Sequence, residues 1–285
     1  MRQTVLAVCA AALLFFPSTS AQEWLRTEAI HDLTSSSNGR VYRLFVEAPG
    51  SFSPGECPEV PTLFMTDGNE DYEVVKVVTK GQIPPLVLVG IGYPDEDYMV
   101  RAGRRSADLT PTFDEKVASQ TLEDFGLTVA YGGGPEFLEF IRDDAIPFIE
   151  ENYCASRVRA LGGYSFGGLF AAYVLLSDPE LFERYVIGSP SLWYDERVVF
   201  EMEESFSQAQ SDLRAQIFMS IGEQEDGEYI GDLFSFSQTL RARNYPSLSI
   251  TTRLWAGEDH ITAKIPTYHR GIRVVFADLV EEGGS

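Results

Sequence analysis

The stretch at residues 161–168, Leu-Gly-Gly-Tyr-Ser-Phe-Gly-Gly, constrains the fold more than any other part of the chain. It places Ser165 two residues from a glycine on each side, in the pattern G-x-S-x-G. Residues 157–161 predict a short strand before the serine, and residues 169–176 predict a buried helix after it. A strand that turns back directly into a helix leaves no room for side chains beside the turn, which explains the glycines and predicts an exposed, nucleophilic serine. An incidental serine in a tight glycine-rich turn is the alternative.

Strand and helix patterns alternate along the rest of the chain. Residues 28–33 and 41–47 predict an antiparallel pair at the start. The later predicted strands lie at residues 62–65, 86–91, 157–161, 184–189, 216–222 and 249–255, with helical segments between them. Continuous apolar runs such as residues 86–91 are typical of parallel strands buried on both faces. We therefore predict an α/β fold with one mostly parallel central sheet and helices on both faces.

The N-terminal segment has the pattern of an export signal. Arg2 precedes an apolar run at residues 5–16 and a small-residue stretch that ends at Ala21. This pattern predicts a secretory signal peptide over residues 1–21, followed by a single mature domain at 22–285 that is periplasmic or secreted. The apolar run is too short to span a membrane as a helix, and no later stretch is long enough. A retained N-terminal anchor is the alternative.

Acidic residues dominate the charge balance. The chain has 43 Asp and Glu residues against 22 Lys and Arg residues, a net charge of −21. Such a surface repels nucleic acid and anionic membranes, so neither is an expected partner. No spacing of His, Cys and Asp resembles a zinc site and no phosphate-binding glycine loop is present, so we predict neither a metal nor a cofactor. Nothing in the sequence indicates the oligomeric state.

Two cysteines, Cys57 and Cys154, remain after the predicted cleavage. Each lies a few residues before a predicted strand. If those strands are parallel neighbours, both cysteines lie at the same edge of the sheet, where an exported protein tolerates a disulfide. We predict a Cys57–Cys154 disulfide, with two unpaired buried thiols as the alternative.

Apolar periodicity disappears between residues 95 and 134. This segment is rich in charged and turn-forming residues and ends in three consecutive glycines. We predict a long loop inserted into the domain. Loops of this length are usually functional, and many form a lid or a pocket wall. A surface excursion without a role is the alternative.

A nucleophilic serine needs a base to accept its proton and a third group to orient that base. In chains with this serine turn the order is serine, acid, histidine, each on a loop after a strand. Of the three histidines, only His260 lies on such a loop in the C-terminal part. The acidic loop after residues 216–222 offers Glu225 as the preferred acid, with Glu223 and Asp226 as alternatives. A solvated acidic turn without a catalytic role remains open.

The remaining site residues follow from the ends of the predicted strands. The negative charge that develops on a substrate carbonyl needs two donors, which we assign to the backbone N–H of Phe166 and to Gly68 or Asn69. Open α/β sheets bind ligands at the carboxyl ends of their strands, where aromatic and cationic side chains accumulate in this chain. The predicted pocket residues are Tyr98, Arg101, Arg104, Trp193 and Tyr194, with Arg105 and Trp255 beside them. The arginines could receive an anionic substrate, and ordinary packing or pairing with nearby carboxylates is the alternative.

These motifs together resemble one branch of a known superfamily. The matching stretches are F-M-T-D-G-N at 64–69, R-R-S-A-D-L-T-P at 104–111, the serine motif, S-P-S-L-W at 189–193, G-E-Q-E at 222–225, and His260. They resemble the "putative esterase" branch of the α/β-hydrolases, which includes S-formylglutathione hydrolase (esterase D), feruloyl esterases, siderophore esterases and mycolyltransferases. The similarity covers nearly all of the mature chain and is greatest to the siderophore-esterase-like subgroup. It implies an α/β-hydrolase fold, Ser165 as nucleophile, His260 as base, and Glu225 at the usual acid position.

The sequence therefore predicts a serine carboxylic-ester hydrolase that works through an acyl-enzyme. Its expected substrate is a small-molecule ester, such as a siderophore trilactone or an aromatic ester of the feruloyl type. One alternative is an acyltransferase, which passes the same acyl group to an alcohol instead of water. Another is a secreted binding protein that keeps the pocket without catalysis.

Overall fold

A computed structural model describes residues 26–50, 59–80 and 85–281. The predicted signal peptide and Cys57 lie outside these residues. The strands are β1 (Arg26–Thr34), β2 (Val41–Pro49), β3 (Val60–Met65), β4 (Val87–Gly92), β5 (Ala155–Tyr164), β6 (Arg184–Gly188), β7 (Ala215–Gly222) and β8 (Leu248–Trp255). The helices are α1 (Gly68–Thr79), α2 (Tyr98–Asp108), α3 (Glu115–Phe125), α4 (Gly134–Phe140), α5 (Ile146–Asn152), α6 (Phe166–Ser177), α7 (Tyr194–Ala209), α8 (Gly227–Ala242), α9 (Lys264–Val275) and α10 (Ala277–Glu281).

All eight strands form one sheet in the order β1-β2-β4-β3-β5-β6-β7-β8. Strands β1 and β2 are antiparallel to each other, and β2 is antiparallel to β4. From β4 through β3 to β8 every neighbouring pair is parallel. The carboxyl ends of these six strands therefore meet at one edge of the sheet, and the loops that follow them lie side by side.

The core has two layers, one on each face of the sheet. Helices α1 and α9 cover one face, with Tyr72 and Tyr268 among the side chains they bury. Helices α4 to α8 supply residues to the layer on the other face. Every residue of β4 is buried, as its continuous apolar run predicts for a central strand. Helix α6, which follows the serine, is buried from Gly167 to Leu176.

The segment at residues 95–134 is not the long loop that the sequence predicted. It contains α2 and α3, each of which begins after an aspartate, Asp97 or Asp114, whose carboxylate accepts two backbone N–H hydrogen bonds. Apolar periodicity failed to reveal these helices because α2 turns charged side chains toward ion-pair partners and α3 buries no residue. A short helix rich in charged residues resembles a loop in sequence.

Three smaller features complete the comparison with the sequence. Cys154 is disulfide-bonded; its pairing with Cys57 stays a prediction, since Cys57 lies outside the described residues. The predicted last helix is interrupted, because α9 ends at Val275 and α10 begins at Ala277. Within the described ranges no helix is both long and apolar enough to cross a bilayer.

Candidate active site

Ser165 occupies a strained turn between β5 and α6. Its φ is +61° and its ψ is −119°, a conformation that residues with a side chain rarely adopt. A Cβ on Gly163 would lie 2.1 Å from the carbonyl oxygen of Gly167, and a Cβ on Gly167 would lie 2.2 Å from Thr66 Oγ1. Both flanking positions therefore need glycine, because a Cβ at either one would collide with a neighbouring atom. The G-x-S-x-G pattern predicted this requirement.

Two cavities open beside this serine, and Ser165 and His260 line both of them. We call the larger one, about 440 Å³, the Trp193 cavity. The smaller one, about 380 Å³, is the Arg105 cavity. The fold thus brings the predicted nucleophile and the predicted base to one place, with space for a substrate on each side of them.

Glu225 is the carboxylate that contacts the histidine. Its Oε2 lies 2.7 Å from His260 Nδ1, and its Oε1 accepts hydrogen bonds from Ser189 Oγ (2.7 Å) and the Gly222 N–H (2.9 Å). Burial by itself raises the pKa of Glu225, but the hydrogen bonds from His260, Ser189 and Gly222 outweigh it and hold the pKa below its ordinary value. An ionised Glu225 accepts a hydrogen bond from the Nδ1–H group and so leaves Nε2 as the basic nitrogen of the ring.

The two alternative acids bind backbone instead. Glu223 is exposed and accepts a hydrogen bond from the Gly257 N–H at 2.8 Å. Asp226 caps α8 and accepts from the Glu228 N–H at 2.8 Å. Since each carboxylate has a structural role in its own loop, Glu225 is the acid that the geometry favours.

A second hydrogen-bond chain supports the histidine loop and was not predicted. The Tyr164 hydroxyl donates to the carbonyl oxygen of His260 at 2.8 Å, and its oxygen lies 2.7 Å from Ser189 Oγ. The residue directly before the nucleophile thus holds the backbone of the histidine, while Ser189 contacts the acid. The S-P-S motif at a strand end was a visible signal for Ser189, but no sequence pattern revealed the tyrosine contact.

The predicted oxyanion donors lie at the starts of two helices. Phe166 is the first residue of α6, where backbone N–H groups have no partner within the helix. Gly68 begins α1, and a Cβ there would lie 2.6 Å from the Gly90 carbonyl carbon. The side chain of Asn69 is occupied, because it accepts from the Tyr93 N–H and donates to the Tyr93 carbonyl. The groups of Gly68 and Asn69 that remain as candidate oxyanion donors are therefore their backbone N–H groups. This role stays a prediction.

Three of the five predicted pocket residues line the cavities. Trp193 lines the larger cavity and stacks on Tyr229, with the ring centroids 5.8 Å apart. Tyr98 and Arg101 line the Arg105 cavity. Trp255, which the sequence placed beside these residues, instead donates its indole N–H to Thr267.

Tyr194 and Arg104 were wrong as pocket residues. Tyr194 is fully buried, and its hydroxyl donates to the carbonyl of Thr112 at 2.8 Å. Arg104 forms an ion pair with Asp95 at 2.6 Å and packs over the ring of Tyr93, away from Ser165. Its neighbour in sequence, Arg105, faces the serine instead. Successive residues of a helix point about 100° apart, which is consistent with the different partners of these two arginines.

A mostly parallel sheet that presents a serine on a strand–helix turn, with a carboxylate and a histidine on later loops, is the arrangement of the α/β-hydrolase fold. A family model described as "Putative esterase" matches residues 35–261, well over half of the chain. The chain therefore belongs to the putative esterase family. The fold class and the family predicted from the sequence are confirmed.

Several known proteins are similar to this chain. The ferri-bacillibactin esterase BesA of Bacillus subtilis (strain 168) is 29% identical over 183 residues, which cover 61% of this chain and 62% of that protein. The siderophore enterobactin esterase of Emericella nidulans is 39% identical over 117 residues, which cover 40% of this chain and 38% of that protein. The chain thus spans less than two thirds of the length of either relative. The crystal structure of the BES protein from Bacillus cereus aligns with a TM-score of 0.76 at 24% identity, covering 88% of this chain and 96% of that one, which shows the shared fold.

Proposed function

We propose that the protein is a serine carboxylic-ester hydrolase that works through an acyl-enzyme. The observation that carries this proposal is the 2.7 Å contact between His260 Nδ1 and Glu225 Oε2, in a cavity that Ser165 also lines. A serine at this turn, a histidine with its Nδ1 held by a carboxylate, and free N–H groups at a helix start together match the requirements of acyl transfer.

The proposed mechanism assigns one task to each group. Ser165 Oγ attacks the ester carbonyl while Nε2 of His260 accepts its proton, and the resulting imidazolium is stabilised by ionised Glu225. The N–H of Phe166 and a second N–H from Gly68 or Asn69 stabilise the developing oxyanion. The imidazolium then protonates the leaving alcohol, which departs as the acyl-enzyme forms. Water, deprotonated by the same imidazole, releases the acid and restores the serine.

The substrate we propose is a siderophore trilactone. This proposal is supported by the names of the relatives and by the two cavities, which give room for one arm of a branched ester on each side of Ser165. An aromatic ester of the feruloyl type is the second candidate. The stacked rings of Trp193 and Tyr229 in the larger cavity favour an aromatic group in either substrate.

The proposal is tested by covalent labelling together with product analysis. We expect a fluorophosphonate to label Ser165 and the enzyme to hydrolyse p-nitrophenyl butyrate and an iron-free trilactone. The variant Ser165→Ala should lose both activities, whereas Ser191→Ala, which alters another serine lining the same cavity, should retain them. An added acceptor alcohol separates hydrolysis from acyl transfer, since a transferase yields a new ester. Wild-type protein that is neither labelled nor active would be a binding protein.

We also propose export through the predicted signal peptide, supported by the sequence pattern at residues 1–21. Mass spectrometry of the protein recovered outside the cytoplasm should give an N-terminus at Gln22. An N-terminus at Met1, or recovery only with the cytoplasmic fraction, would contradict export.

A further inference from the structure

The cations beside Ser165 are all paired with carboxylates. Three cationic side chains line the Arg105 cavity, and each has an acidic partner that lines the same cavity. The pairs are Arg105–Asp67 at 2.5 Å, Lys264–Asp71 at 2.7 Å and Arg101–Glu70 at 3.5 Å. Arg105 binds Asp67 through two nitrogens, and Arg101 also donates to two backbone carbonyls. These cations are therefore largely neutralised by the protein itself before any substrate arrives.

The Trp193 cavity has carboxylates without cationic partners. Of the three acidic residues that line it, Glu225 contacts His260, while Asp226 and Asp259 accept hydrogen bonds from backbone N–H groups. Hydrogen bonds from the backbone of Thr262 and Ile261 lower the pKa of Asp259, so it is ionised at neutral pH. Over the described ranges, neither Asp226 nor Asp259 forms an ion pair with Lys or Arg, and no Lys or Arg lines this cavity.

These contacts reverse the sequence-based expectation that arginines receive an anionic substrate. Together the two cavities present six carboxylates against three paired cations, in a chain of net charge −21. The start of α6 attracts negative charge, but this attraction falls off within one helical turn and acts on the carbonyl oxygen. A negative charge elsewhere on the substrate is therefore repelled by the excess of carboxylates that line the two cavities.

We infer that this site selects esters whose acyl and alcohol parts carry no negative charge and discriminates against anionic esters. The inference rests on the proposed ester hydrolysis and narrows its substrate class. A tris-catecholate trilactone has neutral catechols when free at neutral pH and becomes a trianion when it holds Fe(III). A ferric trihydroxamate ester stays uncharged. The site therefore accepts the iron-free catechol ester and the neutral ferric hydroxamate ester, and disfavours the ferric catecholate.

A pair of small esters isolates charge from shape. p-Nitrophenyl butyrate and p-nitrophenyl hemisuccinate have acyl chains of equal length, and the terminal methyl of one is a carboxylate in the other. After subtraction of the uncatalysed rate, we expect kcat/KM for the succinate to be at least ~10-fold lower in low salt, the scale of electrostatic effects on association. Because the screening length falls from about 30 Å at 0.01 M to about 8 Å at 0.15 M, the difference should shrink as salt is added.

Variants that replace a carboxylate by a neutral amide identify the carboxylates that discriminate against the succinate ester. Asp226→Asn and Asp259→Asn keep a side-chain oxygen for the backbone hydrogen bonds, and each should raise the succinate-to-butyrate ratio by about 2- to 5-fold, the effect of one nearby charge in partly solvated surroundings. The matched control is Glu151→Gln, an exposed carboxylate in α5 just before β5, at the opposite edge of the sheet. It should leave the ratio at the wild-type value.

The outcomes separate this inference from the proposed function. Equal kcat/KM values for succinate and butyrate, independent of salt, would overturn the inference while leaving the esterase proposal intact. Aspartate variants that behave like Glu151→Gln would also overturn it. If wild-type protein fails to hydrolyse p-nitrophenyl butyrate and Ser165 is not labelled, both the esterase proposal and the inference are wrong.

The same preference for uncharged over anionic esters should hold for full-sized siderophore substrates. We expect the iron-free tris-catechol trilactone to be hydrolysed at least ~10-fold more efficiently than its Fe(III) complex in low salt, on the same electrostatic grounds. The neutral ferric trihydroxamate ester controls for the compact shape of a metal complex. A ferric catecholate that is cleaved as efficiently as both uncharged esters would contradict the inference.

Discussion

The substitution Glu225→Gln tests the site most sharply, because the structure determines how the new amide must lie. In the wild type, Glu225 Oε1 accepts from Ser189 Oγ and from the Gly222 N–H. A glutamine would keep its carbonyl oxygen toward these two donors and turn its NH₂ group toward His260. The ring would then have to accept at Nδ1 and carry its proton on Nε2. That tautomer cannot take a proton from Ser165.

The size of the loss in kcat follows from the free energy needed to restore the active tautomer of His260. To restore the active tautomer the amide must flip, and its NH₂ group then faces the Gly222 N–H, which loses its acceptor. The Ser189 hydroxyl can turn to Tyr164 instead, so one buried donor is lost at about 1–3 kcal/mol, or roughly 5- to 150-fold. Replacing a charged acceptor of the Nδ1 hydrogen bond by a neutral one adds about 1 kcal/mol, near 5-fold. We expect kcat to fall by roughly 30- to 900-fold in total, the equivalent of about 2–4 kcal/mol.

The companion variant Glu225→Ala separates the tautomer effect from loss of the carboxylate. Alanine removes the partner of Nδ1 without imposing the wrong tautomer, so its kcat should exceed that of Glu225→Gln by at least ~5-fold, the lower bound of the flip cost. Hydrolysis of p-nitrophenyl butyrate under saturating conditions gives kcat, and thermal unfolding confirms that both variants are folded. Activity of Glu225→Gln within threefold of wild type, or a folded alanine variant slower than the glutamine one, would refute the reasoning.

Three further predictions follow from the contacts around the serine and from one buried acid. Tyr164→Phe and Ser189→Ala each remove one hydrogen bond that holds the histidine loop or the acid, so kcat should fall by about 2- to 10-fold with little change in KM; an unchanged kcat for both would contradict this support. Gly163→Ala should prevent stable folding because its Cβ would overlap backbone 2.1 Å away, whereas Gly231→Ala, with nothing within 4 Å, should stabilise α8 by about 0.5–1 kcal/mol in urea denaturation. Burial raises the pKa of Asp108 to about 6, so its ionisation costs stability progressively as pH rises from about 4 to 6. Relative to wild type, Asp108→Asn should gain up to ~3 kcal/mol of unfolding free energy across that window, and a constant difference between pH 4 and pH 7 would be the contrary result.

Sequence alone was sufficient for the sheet and for the residues proposed as nucleophile and base. The run at β4 and the alternation of strands with helices predict parallel strands whose loops share one edge. Once those loops are adjacent, chain order leaves His260 as the histidine that can approach Ser165. The G-x-S-x-G pattern likewise predicts the close packing around the serine, because a Cβ on Gly163 or Gly167 would collide with a neighbouring atom.

The pocket walls could not be predicted, because side-chain direction depends on backbone details outside any periodic pattern. Trp193 lines a cavity while Tyr194 beside it is buried, and the chain then passes through positive φ values at Asp195, Glu196 and Arg197. The same limitation applies to the hydrogen bond between Tyr164 and the carbonyl of His260. A contact across 96 positions that involves a backbone atom leaves no spacing signal in the sequence.

Helix α3 buries none of its residues, and two of its apolar side chains, Leu122 and Phe125, are exposed. An element that adds only the partly buried side chains of Val117 and Ala118 to the core can change in composition or length at little thermodynamic cost to the sheet. Evolution, or an engineer grafting loops, can therefore rewrite this corner of the molecule while the serine, the histidine and the scaffold beneath them stay as they are.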